Sequence, residues 1–442
     1  MTGETGGSNF YADKVILAPM VRACRCPLRL LALEHGADLV YTEEIIDQKL
    51  LSAKRTENEF LGTIDYSLED EIILRVCSAR EGDRCVLQIG TNSAERAAEL
   101  AKKVGKDVAA IDVNMGCPKT FSLSGGMGAA LLHKPYQVKE ILTSLSSVSA
   151  VPVSCKIRLM DKLEDSLELV QMIERCGVAA VGVHGRRIDE RQQHTNRTDE
   201  IREIVRAISI PVIANGYSGE IHRHEDISRF RELCGASSIM IARKALTNPS
   251  IFRRTGGLWS MEDEIKRFLS LACEYDESFT MTKYVIQRIL GSQQEFDSRG
   301  RATVLAASCS DLCKAWSLDS IYDGSKKRLI ENRKRKTEHD PETGIQYIDI
   351  TFPMKRLKDR CGADTPKCVL NRMCDEGGIP RPLYECKFRP IDGRYEAIID
   401  VLGKKFSSRM GQPNKKMAEQ VAALAALIGL GRREKLLGNW EE

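Results

Sequence analysis

The sequence lacks the segments that mark membrane and secreted proteins. No apolar run reaches about 18 residues, and no basic stretch followed by an apolar one opens the chain. We therefore expect neither a membrane span nor a signal peptide. Aromatic residues are few, at 6%, but 42% of the 442 residues are hydrophobic and 29% are charged. This composition is typical of a soluble globular protein, and the length predicts about two or three domains.

Cysteines are plentiful but follow no recognised spacing. The fifteen are scattered over a long chain, and the C-terminal four, Cys361, Cys368, Cys374 and Cys386, lack CxxC or HxxxH spacing. This scatter argues against a disulfide framework and against a zinc site. The sequence therefore predicts a protein of a reducing compartment, cytosolic or nuclear, with the cytoplasm as the expected location and no metal.

Positive charge is concentrated near the C-terminus. The net charge is +4, but residues 351–442 carry 18 basic and 12 acidic side chains, which leaves the rest at −2. Two basic runs, Lys326–Arg328 and Arg333–Lys336, precede that segment. Such runs are usually solvated surfaces or linkers, but together with the basic segment they indicate a nucleic-acid partner.

Eight short apolar runs alternate with helix-compatible stretches in the first half of the chain. The runs are Val15–Ala18, Leu39–Tyr41, Val86–Ile89, Ala110–Val113, Val153–Ile157, Val181–Val183, Val212–Ala214 and Ile239–Ile241. Amphipathic segments such as 94–101 and 165–173 separate them. Eight βα units in about 250 residues predict an α/β fold of the (β/α)8 TIM barrel type. An open doubly wound sheet is the alternative, although no GxGxxG motif follows the first run.

Polar residues follow these runs, where a barrel places its functional groups. Lys156 and Arg158 are two apart in one strand and therefore point to the same face, towards an anion or a flavin ring; a salt bridge at the rim is the alternative. His184 alone is compatible with a structural role. The ends of the last two strands, where barrels often bind phosphate, carry Asn215-Gly216 and Ala242-Arg243. Together these residues predict a phosphate-bearing cofactor.

Cys117 stands between a glycine and a proline directly after the fourth run. Gly116 favours a sharp turn and Pro118 delays any helix, so the thiol is predicted at a corner between strand and loop. A small, packed and inert cysteine is the alternative.

The chain resembles the tRNA-dihydrouridine synthases. The motifs that carry the resemblance occur in order over about 240 residues: LAPMVR (17–22), LQIG (87–90), DVNMGCP (112–118), SGGMGAALL (124–132), CKIRL (155–159), VHGR (183–186), PVIANG (211–216) and MIARKALTNPSIF (240–252). The resemblance implies an FMN-binding barrel, a small helical domain after it, and NADPH or NADH as the hydride donor.

The resemblance also implies roles for single residues. FMN would be bound by Pro19, Met20, Gln88, Lys156, His184, Asn215, Gly216, Ala242 and Arg243. Cys117 would transfer a proton. We also expect Asn114, Arg158 and Arg186 to contact the substrate. In that reaction reduced flavin gives a hydride to C6 of a uracil ring, and a thiol gives a proton to C5 from the opposite side. An ordinary thiol, with a pKa near ~8.5, is mostly protonated at neutral pH and can act as this acid.

Residues 365–430 read helix, three strands, helix, and resemble a double-stranded RNA-binding domain. The segment NKKMAEQVAALAAL (414–427) opens a helix with Lys415 and Lys416, although positive charge there opposes the helix dipole. Lys358 and Arg360 lie just upstream and are predicted to assist. Such domains contact the phosphates and 2′-hydroxyls of A-form RNA, so tRNA is the expected partner.

We therefore expect a catalytic barrel at 12–256, a helical domain with a basic linker at 257–337, and an RNA-binding domain at 350–432. The expected reaction is reduction of a D-loop uridine in tRNA. Two alternatives remain: a flavin barrel acting on free pyrimidines, which has no use for an RNA-binding domain, and a non-catalytic RNA-binding scaffold, which has no use for Cys117, Lys156 and His184.

Overall fold

A computed structural model describes residues 10–68, 71–191, 193–335, 338–348, 350, 365–390 and 393–432. The chain divides into two compact units, residues 1–322 and 323–442. Within the described ranges the cysteines are free thiols. Every helix in those ranges is too short or too polar to cross a bilayer.

The first unit alternates strands and helices. Its strands are β1 (Val15–Leu17), β2 (Leu39–Tyr41), β3 (Ile45–Ile46), β4 (Lys54–Asn58), β5 (Thr63–Leu68), β6 (Glu71–Val76), β7 (Cys85–Gly90), β8 (Ala110–Met115), β9 (Val153–Arg158), β10 (Ala180–His184), β11 (Val212–Asn215) and β12 (Ser238–Ile241). Its helices are α1 (Cys26–Glu34), α2 (Asp47–Ser52), α3 (Ser78–Glu81), α4 (Ala94–Val104), α5 (Thr120–Ser124), α6 (Pro135–Val148), α7 (Leu163–Glu174), α8 (Thr198–Ala207), α9 (Glu225–Cys234), α10 (Arg243–Thr247), α11 (Met261–Glu274), α12 (Phe279–Leu290), α13 (Gln293–Phe296), α14 (Ser298–Leu305) and α15 (Cys309–Ala315).

Eight of these strands close a parallel barrel. They pair in the order β2-β1-β12-β11-β10-β9-β8-β7, and β2 pairs with β7 to complete the ring. These are the eight predicted runs, so the (β/α)8 prediction is confirmed and the open-sheet alternative is wrong. Every residue of β7 and β8 is buried. Burial on both faces explains why the strands read as continuous apolar runs.

The barrel interior changes from apolar to polar along its axis. At the amino ends of the strands, Tyr11 packs with Ile16, Val86 and Met240 in one buried cluster. Because alternate residues of a strand share a face, the next inward positions lie nearer the carboxyl ends. There the interior is polar, which places the candidate site at that end of the barrel.

A small antiparallel sheet, β4-β5-β6, and the two-residue strand β3 were not predicted. Four of the five residues of β4 are exposed, so its sequence shows no apolar alternation. A buried ion pair, Arg75 to Asp65 at 2.7 Å, joins β6 to β5. The short β3 pairs in parallel with the carboxyl end of β7.

Helices α11 to α15 pack against the barrel through α1. Leu28 of α1 shares a buried cluster with Phe268 and Trp316. His35 Nε2, just after α1, hydrogen-bonds to the buried Glu264 carboxyl at 3.1 Å. The helical segment is therefore part of the same compact unit as the barrel. Helix α16 (Asp319–Arg335) follows it.

The second unit has the predicted α-β-β-β-α order. It comprises α17 (Pro366–Glu376), β15 (Leu383–Arg389), β16 (Arg394–Val401), β17 (Lys404–Ser407) and α18 (Lys415–Gly429), preceded by the unpredicted strands β13 (Glu338–His339) and β14 (Ile345–Tyr347). The sheet order is β13-β14-β17-β16-β15. Leu370, Ile399, Phe406 and Leu424 form its core.

Candidate active site

The carboxyl ends of β8 to β11 place predicted site residues side by side. Parallel pairing sets Asn114 opposite Lys156, and it sets His184 opposite both Arg158 and Asn215. Paired strands lie about 4.8 Å apart. These side chains, distant in sequence, therefore line one patch of the barrel mouth.

Cys117 lies in the turn that follows β8. The Asn114 side-chain oxygen accepts hydrogen bonds from the backbone N–H groups of Gly116 and Cys117, each at 3.0 Å. A Cβ on Gly116 would lie 3.3 Å from the backbone carbon of Ile157, so the close approach to β9 favours glycine. The Cys117 carbonyl accepts from the Ala129 N–H at 3.0 Å. These bonds hold the half-buried thiol at the mouth of the barrel.

The Cys117 thiol is kept protonated by its surroundings. Burial raises its pKa above the usual value, and the negative charge of Glu44 raises it further. Glu44 follows β2, and its Oε1 accepts a hydrogen bond from Ser122 Oγ at 3.3 Å. Its Oε2 is buried and has no hydrogen-bond partner among the described residues. Glu44 was not predicted as a site residue, and its position after a barrel strand is the signal that points to it.

A chain of buried hydrogen bonds runs below the site. Tyr11 Oη and Ser154 Oγ are 3.0 Å apart, and Ser154 Oγ donates to Asp112 at 2.7 Å. Gln88 Nε2 donates to the other Asp112 oxygen at 2.8 Å, and Asn114 Nδ2 donates to Gln88 Oε1 at 3.4 Å. Burial raises the pKa of Asp112 to about 6. The chain fixes the orientation of both amides, including the one that shapes the Cys117 turn.

Four cationic side chains surround His184. Burial lowers the pKa of this histidine well below the usual value, and the charges of Lys156, Arg158, Arg186 and Arg243 lower it further. His184 is therefore neutral, and its Nδ1 is buried without a partner among the described residues. Such a concentration of positive charge around a neutral imidazole suits an anionic ligand.

Two of these cations, Arg158 and Arg186, are held by backbone carbonyls that follow neighbouring strands. Arg158 Nε donates to the Gly116 carbonyl at 2.9 Å, and Arg186 Nη1 donates to the Gly216 carbonyl at 2.5 Å. Burial lowers the pKa of Lys156 to about 8, and the charge of Arg158 contributes. Lys156 thus titrates within the range of ordinary buffers.

Gly216 lets the side chains of Asn196 and His184 pack closely against its backbone. Its φ of +108° lies in the region that favours glycine, and a Cβ there would lie 2.3 Å from Asn196 Nδ2. Asn196 Nδ2 donates to the Asn215 carbonyl at 3.0 Å, while its Oδ1 is buried without a partner in the described part of the chain. Asn215 Nδ2 donates to the Met240 carbonyl at 2.8 Å. Asn196 was not predicted, because it lies in the loop between β10 and α8.

The remaining predicted cofactor residues lie at the end of two paired strands. Pro19 and Met20 follow β1, and Ala242 and Arg243 follow β12, its parallel neighbour. Arg243 begins α10, and burial lowers the pKa of its guanidinium. Within the described ranges, no group of three or more His, Cys, Asp or Glu residues is arranged to hold a metal ion.

Comparison with known proteins identifies the family of the chain. The family model for dihydrouridine synthase matches residues 16–316. The chain belongs to the dihydrouridine synthase family. A tRNA-dihydrouridine(20) synthase [NAD(P)+] of Saccharomyces cerevisiae is 36% identical over 378 residues, covering 81% of this chain and 97% of the yeast protein. One of Schizosaccharomyces pombe is 37% identical over 356 residues, covering 78% and 73%. A crystal structure of a tRNA-dihydrouridine(20) synthase dsRBD domain is 30% identical, with a TM-score of 0.18, over 20% of this chain and 90% of that one.

The dihydrouridine synthase family match ends before the second unit, which holds the other predicted substrate residues. Lys415 and Lys416 are exposed in the first turn of α18. The Asn414 side chain caps this helix by accepting from the Met417 N–H at 3.0 Å. Lys358 and Arg360 lie outside the described residues.

Proposed function

We propose that this dihydrouridine synthase reduces a D-loop uridine of tRNA to 5,6-dihydrouridine, with FMN in the barrel and NADPH or NADH as the hydride donor. The observation that carries the proposal is a thiol, Cys117, kept protonated at the mouth of a barrel lined with cations and unpartnered polar atoms. The names of the two fungal relatives support tRNA as substrate and a nicotinamide nucleotide as reductant.

The residues at the mouth fit FMN. A phosphate group needs cations, which Arg243 and Arg186 supply beside His184. A flavin ring has a polar edge that needs hydrogen-bond partners, and His184 Nδ1 and Asn196 Oδ1 are buried and unpartnered in the described structure. We assign cofactor binding to Pro19, Met20, Gln88, Lys156, His184, Asn215, Gly216, Ala242 and Arg243.

Cys117 acts as the acid of the reaction. FMN, when bound, supplies a hydride for C6 of the uracil ring. The electron pair of the C5–C6 double bond then takes the proton of Cys117, so that the S–H bond breaks, a C5–H bond forms and a thiolate remains. A raised thiol pKa keeps this proton available at neutral pH. Asn114 holds the turn, and Arg158 and Arg186 contact the substrate.

We assign the chemistry to residues 12–256, a supporting role to the helical segment and basic linker at 257–337, and tRNA binding to a double-stranded RNA-binding domain at 350–432. A cytoplasmic location is part of the same proposal and rests on the free cysteines.

The function is tested by incubating purified protein with NADPH and an unmodified tRNA transcript, followed by mass spectrometry of the nucleosides. We expect one or more uridines of the D-loop to gain two hydrogens. Reduction of free uracil at a comparable rate, with none of tRNA, would favour the free-pyrimidine alternative.

The purified protein should be yellow, and His184→Ala should lose FMN at least about tenfold more readily, the effect of removing one hydrogen bond near charge. Bound flavin is measured by absorbance after dialysis. His222→Ala is the matched control, because His222 is exposed on the loop before α9. Equal retention by both variants would remove His184 from the cofactor site.

FMN affinity should fall as the pH rises through about 8, where buried Lys156 loses its proton. Below that pH the ammonium attracts the anionic cofactor. Because a bound anion raises the lysine pKa, affinity should decline by up to about tenfold per pH unit above 8 and then level off. Quenching of FMN fluorescence between about pH 6.5 and pH 9.5 measures this affinity. His184 stays neutral throughout that range, so it does not contribute to the titration.

Lys156→Met should abolish this pH dependence, and Lys162→Met, at an exposed lysine in the following loop, should keep it. A decline above pH 8 that survives in Lys156→Met would assign the titration to another group.

A further inference from the structure

We propose that Glu44 keeps the Cys117 thiol protonated between turnovers and returns a proton to it after each one. The inference rests on the proposed function, in which Cys117 is the acid. It assigns a role to a side chain that neither the motifs nor the cofactor site accounts for.

The fold makes room for the Glu44 carboxyl beside the thiol. A Cβ on Gly90, at the end of β7, would lie 2.8 Å from Glu44 Oε1. The same oxygen accepts from Ser122 Oγ on α5, the helix that follows the Cys117 turn. Glu44 Oε2 is buried without a partner among the described residues. One carboxyl oxygen is therefore available for proton transfer.

The adjacent glutamate is used differently. Glu43 Oε1 pairs with Arg25 at 3.1 Å, and Glu43 Oε2 accepts from the Arg22 backbone N–H at 2.8 Å. In contrast, the groups that lower the pKa of Glu44 are uncharged or the thiol itself: Ser122, Cys117 and Asn114. Two consecutive glutamates thus divide into a structural ion pair and a carboxyl that faces Cys117.

Glu44 opposes the cations that face the same thiol. Lys156 and Arg158, both on β9, lie within electrostatic reach of Cys117 and favour a thiolate. The Ser122 hydroxyl and the backbone of Lys119 favour it too. A thiolate has no proton to give, so the acid role requires a negative charge that offsets these cations. Glu44 carries that charge.

The return of a proton from Glu44 to the Cys117 thiolate is thermodynamically favourable. After Cys117 protonates C5, a thiolate lies beside Glu44. The charge of the thiolate favours uptake of a solvent proton by the Glu44 carboxylate. The O–H bond of that carboxyl then breaks, an S–H bond forms, and the Glu44 carboxylate is restored. Carboxylic acids are stronger acids than thiols, so this transfer is favoured. Burial raises the pKa of Glu44, which favours this transient uptake of a proton.

The acidity of the thiol can be measured without the reaction. FMN-loaded protein is treated with iodoacetamide from pH 6 to pH 10, and mass spectrometry follows the peptide that contains Cys117. Glu44→Gln should alkylate about tenfold faster at neutral pH, equivalent to a thiol pKa lower by about one unit. The alkylation rate of Glu44→Asp should lie between those of Glu44→Gln and the wild type. Glu43→Gln, the matched control, should be alkylated at the wild-type rate. An identical profile for Glu44→Gln and wild type would overturn the proposal.

Turnover supplies the second readout. With flavin reduced beforehand and tRNA in excess, Glu44→Gln should show its alkaline loss of product formation at lower pH than the wild type. In Glu44→Asp this loss should occur at a pH between those of Glu44→Gln and the wild type. If product formation is lost at the same pH in both variants and in the wild type, the proposal is also contradicted. If neither the wild type nor any variant reduces tRNA, the proposed function is wrong. The alkylation profiles then still decide whether Glu44 controls the acidity of the thiol.

Discussion

Replacing Cys117 by alanine should reduce dihydrouridine formation by about 10²- to 10⁴-fold, the usual contribution of a general acid. Flavin binding and its reduction by NADPH should be unchanged, because the Asn114 hydrogen bonds that shape the turn go to backbone N–H groups and survive the substitution. Anaerobic stopped-flow absorbance measures the flavin step, and nucleoside mass spectrometry measures the product.

The matched control is Cys368→Ala, at an exposed cysteine near the start of α17. It should form product at the wild-type rate. If Cys117→Ala forms product nearly as fast as the control, another group protonates C5 and the thiol has no part in the chemistry. If Cys117→Ala loses flavin reduction as well, the residue is needed for the fold of the mouth instead.

The barrel could be predicted because its strands are buried on both faces. A run such as VLQIG in β7 is apolar apart from Gln88, and its one polar side chain marks the functional end of the strand. Repetition of this pattern eight times determines a closed parallel sheet, and the polar residues at the run ends are brought together by pairing between neighbours. Local pattern and global topology agree there.

The features that escaped prediction depend on partners distant in sequence. Strand β4 is almost entirely exposed, so nothing in its own residues distinguishes it from a loop. Asn196 is one polar residue in a polar loop, and its place beside Gly216 follows from the packing of that loop on β11. Glu44 differs from Glu43 only through what surrounds it, namely Ser122 on one side and Arg25 on the other. Such roles become visible only when the neighbours are known.

Replacing both Lys415 and Lys416 by alanine should weaken tRNA binding by roughly ten- to a hundredfold and reduce the salt dependence of that binding. The two exposed ammonium groups stand at the N-terminus of α18, where backbone N–H groups also favour a phosphate. Each lost phosphate contact removes roughly 0.7–0.9 from the slope of log affinity against log salt, so the double variant should lose about 1.4–1.8. Fluorescence anisotropy of labelled tRNA at several salt concentrations measures both quantities.

Misfolding would not explain this result, because the lysines oppose the dipole of their own helix. Alanine removes that repulsion, is the better helix former, and leaves the Asn414 cap in place, so the melting temperature should stay or rise. The matched control replaces Lys404 and Lys405, two exposed lysines of β17, and removes the same charge from another part of the same unit. Equal losses in both double variants would indicate binding through net charge alone. If the double variant Lys415→Ala/Lys416→Ala binds tRNA with the wild-type affinity and the wild-type salt dependence, the start of α18 does not contact RNA.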